Sequence, residues 1–104
     1  MLIEIRNRLI GIPWELNRPS LPVEREDEFP VGTRVISALV DHTGSVSVWL
    51  EVPVGEARLY PVKFYVIGSY WEWNKPANAR YLGPVNLVTN PHWPGIIAHV
   101  YLAD

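Results

Sequence analysis

The chain contains no cysteine. That excludes disulfides, thiolate-bound metals and a cysteine nucleophile, and it fits a reducing compartment. No apolar stretch approaches the roughly 18 residues that suggest a membrane-spanning helix. The charges inside Met1-Leu2-Ile3-Glu4-Ile5-Arg6-Asn7-Arg8 do not suit a signal peptide. A soluble, cytoplasmic protein is the expectation. Positive charge is also scarce: nine Lys and Arg stand against eleven Asp and Glu, for a formal net charge of −2. Neutralising phosphates requires a clustered basic excess, so neither generic nucleic-acid binding nor attachment to an anionic membrane is expected. No glycine-rich phosphate loop is present, and no segment holds a helical period long enough to predict more than a single helical turn.

Proline and glycine, by contrast, are plentiful. Ten Pro and seven Gly punctuate short runs rich in Val, Ile, Tyr and Trp, the pattern of an all-β domain. A chain of 104 residues is long enough for one core, so residues 1–104 read as a single domain. The clearest unit is a hairpin, with Thr33 to Val40 and Ser45 to Val52 flanking Asp41-His42-Thr43-Gly44. Asp first and Gly fourth suit a type I turn with positive φ at the Gly. In the second strand Val46, Val48, Leu50 and Val52 share one face, while Ser45, Ser47, Trp49 and Glu51 share the other.

Further strands are expected over Arg58 to Ile67, Arg80 to Val88 and Gly95 to Leu102. In the first of these Pro61 marks an edge or the start of a ladder. In the second, Tyr81, Val85 and Leu87 share a side and Gly83-Pro84 marks a bulge. In the last, Ile96, Ala98, Val100 and Leu102 oppose Ile97, His99 and Tyr101. Leu2 to Ile10 alternates as a strand with Ile3, Ile5, Asn7 and Leu9 inward. Asn17 to Pro30, with Glu24-Arg25-Glu26-Asp27-Glu28, reads as an extended, solvated connection. Five to six short antiparallel strands in a small sandwich or partly open barrel follow.

Catalytic chemistry finds little support. His42 sits at a turn, His92 in Asn90-Pro91-His92-Trp93-Pro94 and His99 in a strand, with no metal-ligand spacing and no carboxylate placed to orient a base. No catalytic residue, metal or cofactor is predicted. His99 is read as structural, its ring hydrogen-bonded against Tyr101 or a neighbouring strand. Binding has a clearer signal. Tyr70-Trp71-Glu72-Trp73-Asn74-Lys75-Pro76 places three large rings within four residues of an expected loop. Such a loop either folds back over the core or presents its rings to a partner. Tyr70, Trp71, Trp73, Lys75, Arg80, His92 and Trp93 are the candidate binding residues. The rings would stack on a base, and Lys75, Arg80 or Arg58 would meet phosphate. The two loops holding these rings flank one strand and would leave from its opposite ends, which argues against one pocket within a single chain unless a loop folds along the sheet or a second subunit completes the site. Trp14 and Trp49 are read as core. So much large apolar surface on a small chain also predicts a homo-oligomer.

From the hairpin onward the order of features resembles a family. Phe29-Pro30-Val31-Gly32-Thr33-Arg34-Val35-Ile36-Ser37 leads in, and Val46-Ser47-Val48-Trp49-Leu50-Glu51-Val52 follows the turn. Phe64-Tyr65-Val66-Ile67-Gly68-Ser69, Tyr81-Leu82-Gly83-Pro84-Val85 and Gly95-Ile96-Ile97-Ala98-His99-Val100-Tyr101 complete the series. This is similar to small β-proteins of bacteriophages and prophages with no assigned activity, over residues 29–103. They carry Gly-Thr-Gly where this chain has Gly68-Ser69-Tyr70, and Trp before His where it has Ala98. The resemblance implies expression in a bacterial host and supplies no catalytic residue. Two functions are compatible with it: an accessory protein that blocks or sequesters a host defence protein or a small nucleotide signal, and a structural module of a virion or assembly complex that uses the aromatic loop as a subunit contact.

Overall fold

The computed structural model describes residues 1–11, 23–87 and 97–104. Within them lie seven strands: β1 (Ile3–Gly11), β2 (Val23–Pro30), β3 (Arg34–Val40), β4 (Val46–Pro53), β5 (Leu59–Gly68), β6 (Arg80–Asn86) and β7 (Ile97–Ala103). Three form a sheet in the order β1-β4-β3 and four a sheet in the order β2-β5-β7-β6, all pairs antiparallel. The sheets stack as a sandwich, with β3 against β6 along one side; they are not joined into a barrel. No helix among the described residues is long and apolar enough to cross a membrane.

Alternation builds the core. Val46, Val48, Leu50 and Val52 of β4 face Val62, Phe64 and Val66 of β5 and Ala98, Val100 and Leu102 of β7, all almost sealed from solvent. Phe29 of β2 meets Phe64 edge-on at 6.0 Å. Each fully buried Val, Leu or Phe contributes about 1.5–3 kcal/mol, so the face of period two in β4 is among the strongest determinants of the fold.

The β3–β4 turn follows the sequence closely. Gly44 has φ 81°, and its N–H donates to the Asp41 carbonyl. Asp41 Oδ1 accepts from the N–H groups of Thr43 and Ser45 and from the Thr43 hydroxyl. These donors, the Thr43 hydroxyl foremost, hold the Asp41 carboxyl below its usual range. His42 is exposed. His42→Ala should therefore leave the melting temperature unchanged, whereas Gly44→Val should cost on the order of 1 kcal/mol or more. Equal melting temperatures would contradict the turn.

Four expectations are corrected. The count is seven strands rather than five to six, because the acidic stretch is strand β2 and not a solvated connection. Its alternation is masked by charge. Val23 and Phe29 are buried, while Glu24, Glu26 and Glu28 point outward and Glu24 reaches Lys63 at 3.0 Å. As the edge of its sheet, β2 can carry Arg25 and Asp27 on the inner side, and Asp27 pairs with Arg8 at 3.2 Å.

The second correction concerns β1, whose faces are reversed. Its register sets Glu4, Arg6 and Arg8 opposite Val52, Leu50 and Val48, on the core side, and Arg8 lies over the Phe29 ring. Ile3, Ile5 and Leu9 face out and are exposed. Third, Trp49 shares that outer face and is 40% exposed rather than core; Trp14 lies outside the described residues. Fourth, the register shift between Tyr81 and Gly83, where Gly83 has φ 134°, puts Tyr81 and Val85 on opposite faces. The bulge was expected, but not that it would flip the face. Pro61, the third residue of β5, stands opposite Glu28 of β2 and precedes the pairing with β7, which begins at Lys63, so it interrupts no ladder on that side.

Candidate functional site, an aromatic cleft under a crossover

β5 and β6 both run antiparallel to β7, which lies between them, so they are parallel to each other. The chain leaving β5 must therefore return the length of the sheet across β7. Such crossovers are usually helices; here segment 69–79 crosses without one and lies on the outer face of the sheet. This explains its composition. The outward side chains Tyr65 and Ile67 of β5 and Ala103 of β7 need a cover, and Trp71, Trp73 and Ala79 provide it in a second apolar cluster.

The packing is specific. The Trp73 ring lies 5.1 Å from Tyr65 and 5.3 Å from Tyr101, at tilted angles that suit ring quadrupoles. The Trp71 indole rests directly on Gly68, where a Cβ would stand 2.5 Å from its Cε2. Lys75 Nζ donates to the Ala79 carbonyl at 3.4 Å and sits 6.0 Å from the Tyr101 ring centre. The Asn78 side chain donates to the Asp104 carbonyl at 2.7 Å and ties the loop down beyond β7.

Where this loop meets the sheet opens a cleft of about 370 Å³, its lining including Ser69, Tyr70, Trp71, Trp73, His99 and Tyr101. Tyr70 differs from its neighbours. Its side chain is fully exposed, and it is the one non-glycine residue with positive φ, 69°, among the described residues.

His99 is fixed at both ring nitrogens, by Ser69 Oγ at 2.9 Å from Nε2 and by the Tyr81 hydroxyl at 2.8 Å from Nδ1. Ser69 has one hydroxyl proton, and it is donated to the Ile97 carbonyl at 2.8 Å. Ser69 Oγ therefore accepts from Nε2–H, and Nδ1 accepts from Tyr81. Ser69 Oγ, which lines the cleft, and the Tyr81 hydroxyl each keep accepting capacity in this chain of hydrogen bonds. Partial desolvation first, and Tyr101 second, push the Tyr81 hydroxyl above its usual range. Imidazole ¹⁵N NMR of neutral His99 should show the Nε2–H tautomer, and Ser69→Ala should populate the other. An Nδ1–H tautomer in the parent protein would contradict this assignment.

The predicted site residues thus divide. Tyr70, Trp71, Trp73 and Lys75 come together on one sheet face. Arg80 does not join them: it lies opposite Leu102, on the core-facing side at the sheet edge, and its charge acts on Tyr60. Arg58 is ion-paired with Glu56 at 2.6 Å in the turn before β5. His92 and Trp93 lie outside the described residues. His99 is held by hydrogen bonds as expected, not to Tyr101 but to Tyr81 of the neighbouring strand β6, and also to Ser69. Ser69, Tyr81, Tyr65 and Tyr101 were not among the binding residues expected from sequence. The shared alternation of His99 and Tyr101 was the available signal, but without the strand order it could not be connected to Trp73.

Among the described residues no group of three or more His, Asp or Glu is placed to hold a metal ion. Comparison with protein-family models, curated proteins and solved structures gives no match to this chain.

Proposed function

We propose that this chain is a binding protein whose aromatic cleft takes a small, flat-ringed ligand of the nucleotide class. In a phage setting it would act as an accessory protein that sequesters a host nucleotide signal. The observation that carries this reading is Tyr70. A non-glycine residue in the left-handed region costs about 1–2 kcal/mol, and the fully exposed Tyr70 ring recovers none of it by packing. Folding alone would favour glycine there. A ring held at the mouth of a ring-walled cleft, at a cost to stability, is accounted for by contact with something else. The base would stack against Tyr70 and Trp71, its amino or imino N–H groups would meet Ser69, and Lys75, beside the Tyr101 ring, would meet phosphate.

Binding rather than catalysis is supported by the Ser69 proton, which points at Ile97 and away from His99, and by a tyrosine where a hydrolase would hold an orienting carboxylate. The alternative, a structural module of a virion or assembly complex, would use the same aromatic loop as a subunit contact and would hold no small molecule. Tryptophan-fluorescence titration separates the two. Adenosine 5′-monophosphate should quench saturably and ribose 5-phosphate should not. Tyr70→Gly should keep or raise the melting temperature while weakening binding by about tenfold, the equivalent of one lost stacking contact. No saturable quenching by the nucleotide, or unchanged affinity in Tyr70→Gly, would count against the cleft.

A further inference from the structure

We infer that two copies of this chain pair through strand β1, in one antiparallel register centred on Ile5, to make a continuous six-stranded sheet. This goes beyond the cleft, which lies on the outer face of the other sheet, and does not depend on it.

β1 is the end strand of the order β1-β4-β3, and Ile3 to Leu9 are exposed on both faces. The direction of its main-chain groups follows from the ladder. Val54 N–H donates to the Leu2 carbonyl at 3.0 Å, so the Leu2–Val54 pair is hydrogen-bonded. Antiparallel pairs alternate. Glu4, Arg6 and Arg8 therefore direct their N–H and C=O groups to β4, and Ile3, Ile5 and Asn7 direct theirs away. Pro53, which has no N–H to give, stands opposite Ile3 at one of the non-bonded positions. The free edge thus presents donors and acceptors from alternate residues, as strand addition requires.

Charge then selects the register. Centring on Glu4 sets that carboxylate against its own copy, centring on Arg6 sets two guanidinium groups together, and centring on Asn7 opposes Arg6 to Arg8. Of the centres from Glu4 to Asn7, only Ile5 leaves no like-charged pair; centring on Ile3 leaves none either but overlaps residues 1–5 alone. The Ile5 register opposes Glu4 to Arg6 of the second copy, and Arg6 to Glu4, at non-hydrogen-bonded positions where side chains come closest. The main-chain bonds form between Ile5 and Ile5, and between Ile3 and Asn7 in both directions. Ile5 then sits on the two-fold axis, and the exposed Ile3, Ile5, Leu9 and Trp49 of each copy join into one apolar face.

Sedimentation velocity at high micromolar concentration should give twice the chain mass of 11.9 kDa. Ile5→Pro removes an N–H that β4 does not use, so it should yield a folded monomer. Glu4→Arg and Arg6→Glu should each be monomeric alone and form a one-to-one heterodimer when mixed, since all charges across the seam are then complementary. Both positions are exposed, so neither change threatens the fold. A monomeric parent protein, single variants that dimerise as the parent does, or a mixture that stays monomeric would each overturn the register.

Discussion

Gly68→Val should destabilise the protein by about 3 kcal/mol, the upper part of the range for overpacking, and should release Trp71 from the sheet. The backbone at Gly68 is not left-handed, so the substitution carries no conformational penalty. Its cost is the collision with Trp71, whose Cε2, Cζ2 and Nε1 would lie 2.5–2.8 Å from the new Cβ. Because Trp71 packs against both the main core and the outer cluster, its displacement uncovers Ile67 and removes one wall of the cleft. The midpoint in urea should fall and tryptophan emission should shift to the red. Gly68→Ala should show a smaller change in the same direction. A valine variant with the parent's midpoint and emission would mean that the indole does not rest on Gly68.

The Trp71→Ala, Trp73→Ala double variant should lose both stability and affinity. Truncating a buried Phe or Trp costs about 3–5 kcal/mol. Both indoles are half-buried, so roughly half of that range at each position is expected. Trp73 in addition loses its contacts with Tyr65 and Tyr101. Nucleotide affinity of the folded fraction should fall at least about tenfold. The sequence posed core cover and contact surface as alternatives for this loop, and the crossover makes them compatible: one side of each indole covers the sheet and the other faces the cleft. Tyr70→Ala isolates the second role, since its ring packs on nothing. Intact affinity in the double variant would remove the cleft as the binding site.

The strands legible in the sequence were those whose alternation is apolar against polar. β4 and the described part of β7 read correctly to the face, because apolar residues at every second position leave one solution; Gly95 and Ile96, the expected start of the last strand, lie outside the described residues. β2 did not, because its outward carboxylates and inward Arg25 and Asp27 hide two buried anchors, Val23 and Phe29. β1 misled for the opposite reason. Its isoleucines mark an apolar face that turns outward, since pairing with β4 in this register brings Glu4, Arg6 and Arg8 to the core side. The aromatic loop was visible as an anomaly, but its purpose was not. Composition cannot state that β7 inserts between β5 and β6, and that order is what draws the loop across the sheet to Tyr101 and His99. The bulge at Gly83, which carries Tyr81 to the same face, was legible as a bulge and not as a switch of side.

Native mass spectrometry of protein purified gently from infected or signalling-active bacterial cells tests the central claim most directly. The cleft account predicts a retained small molecule of nucleotide mass on the parent protein, and its loss from the folded Trp71→Ala, Trp73→Ala variant. A bare chain mass in the parent protein, or a retained ligand that the double variant keeps in full, would contradict it.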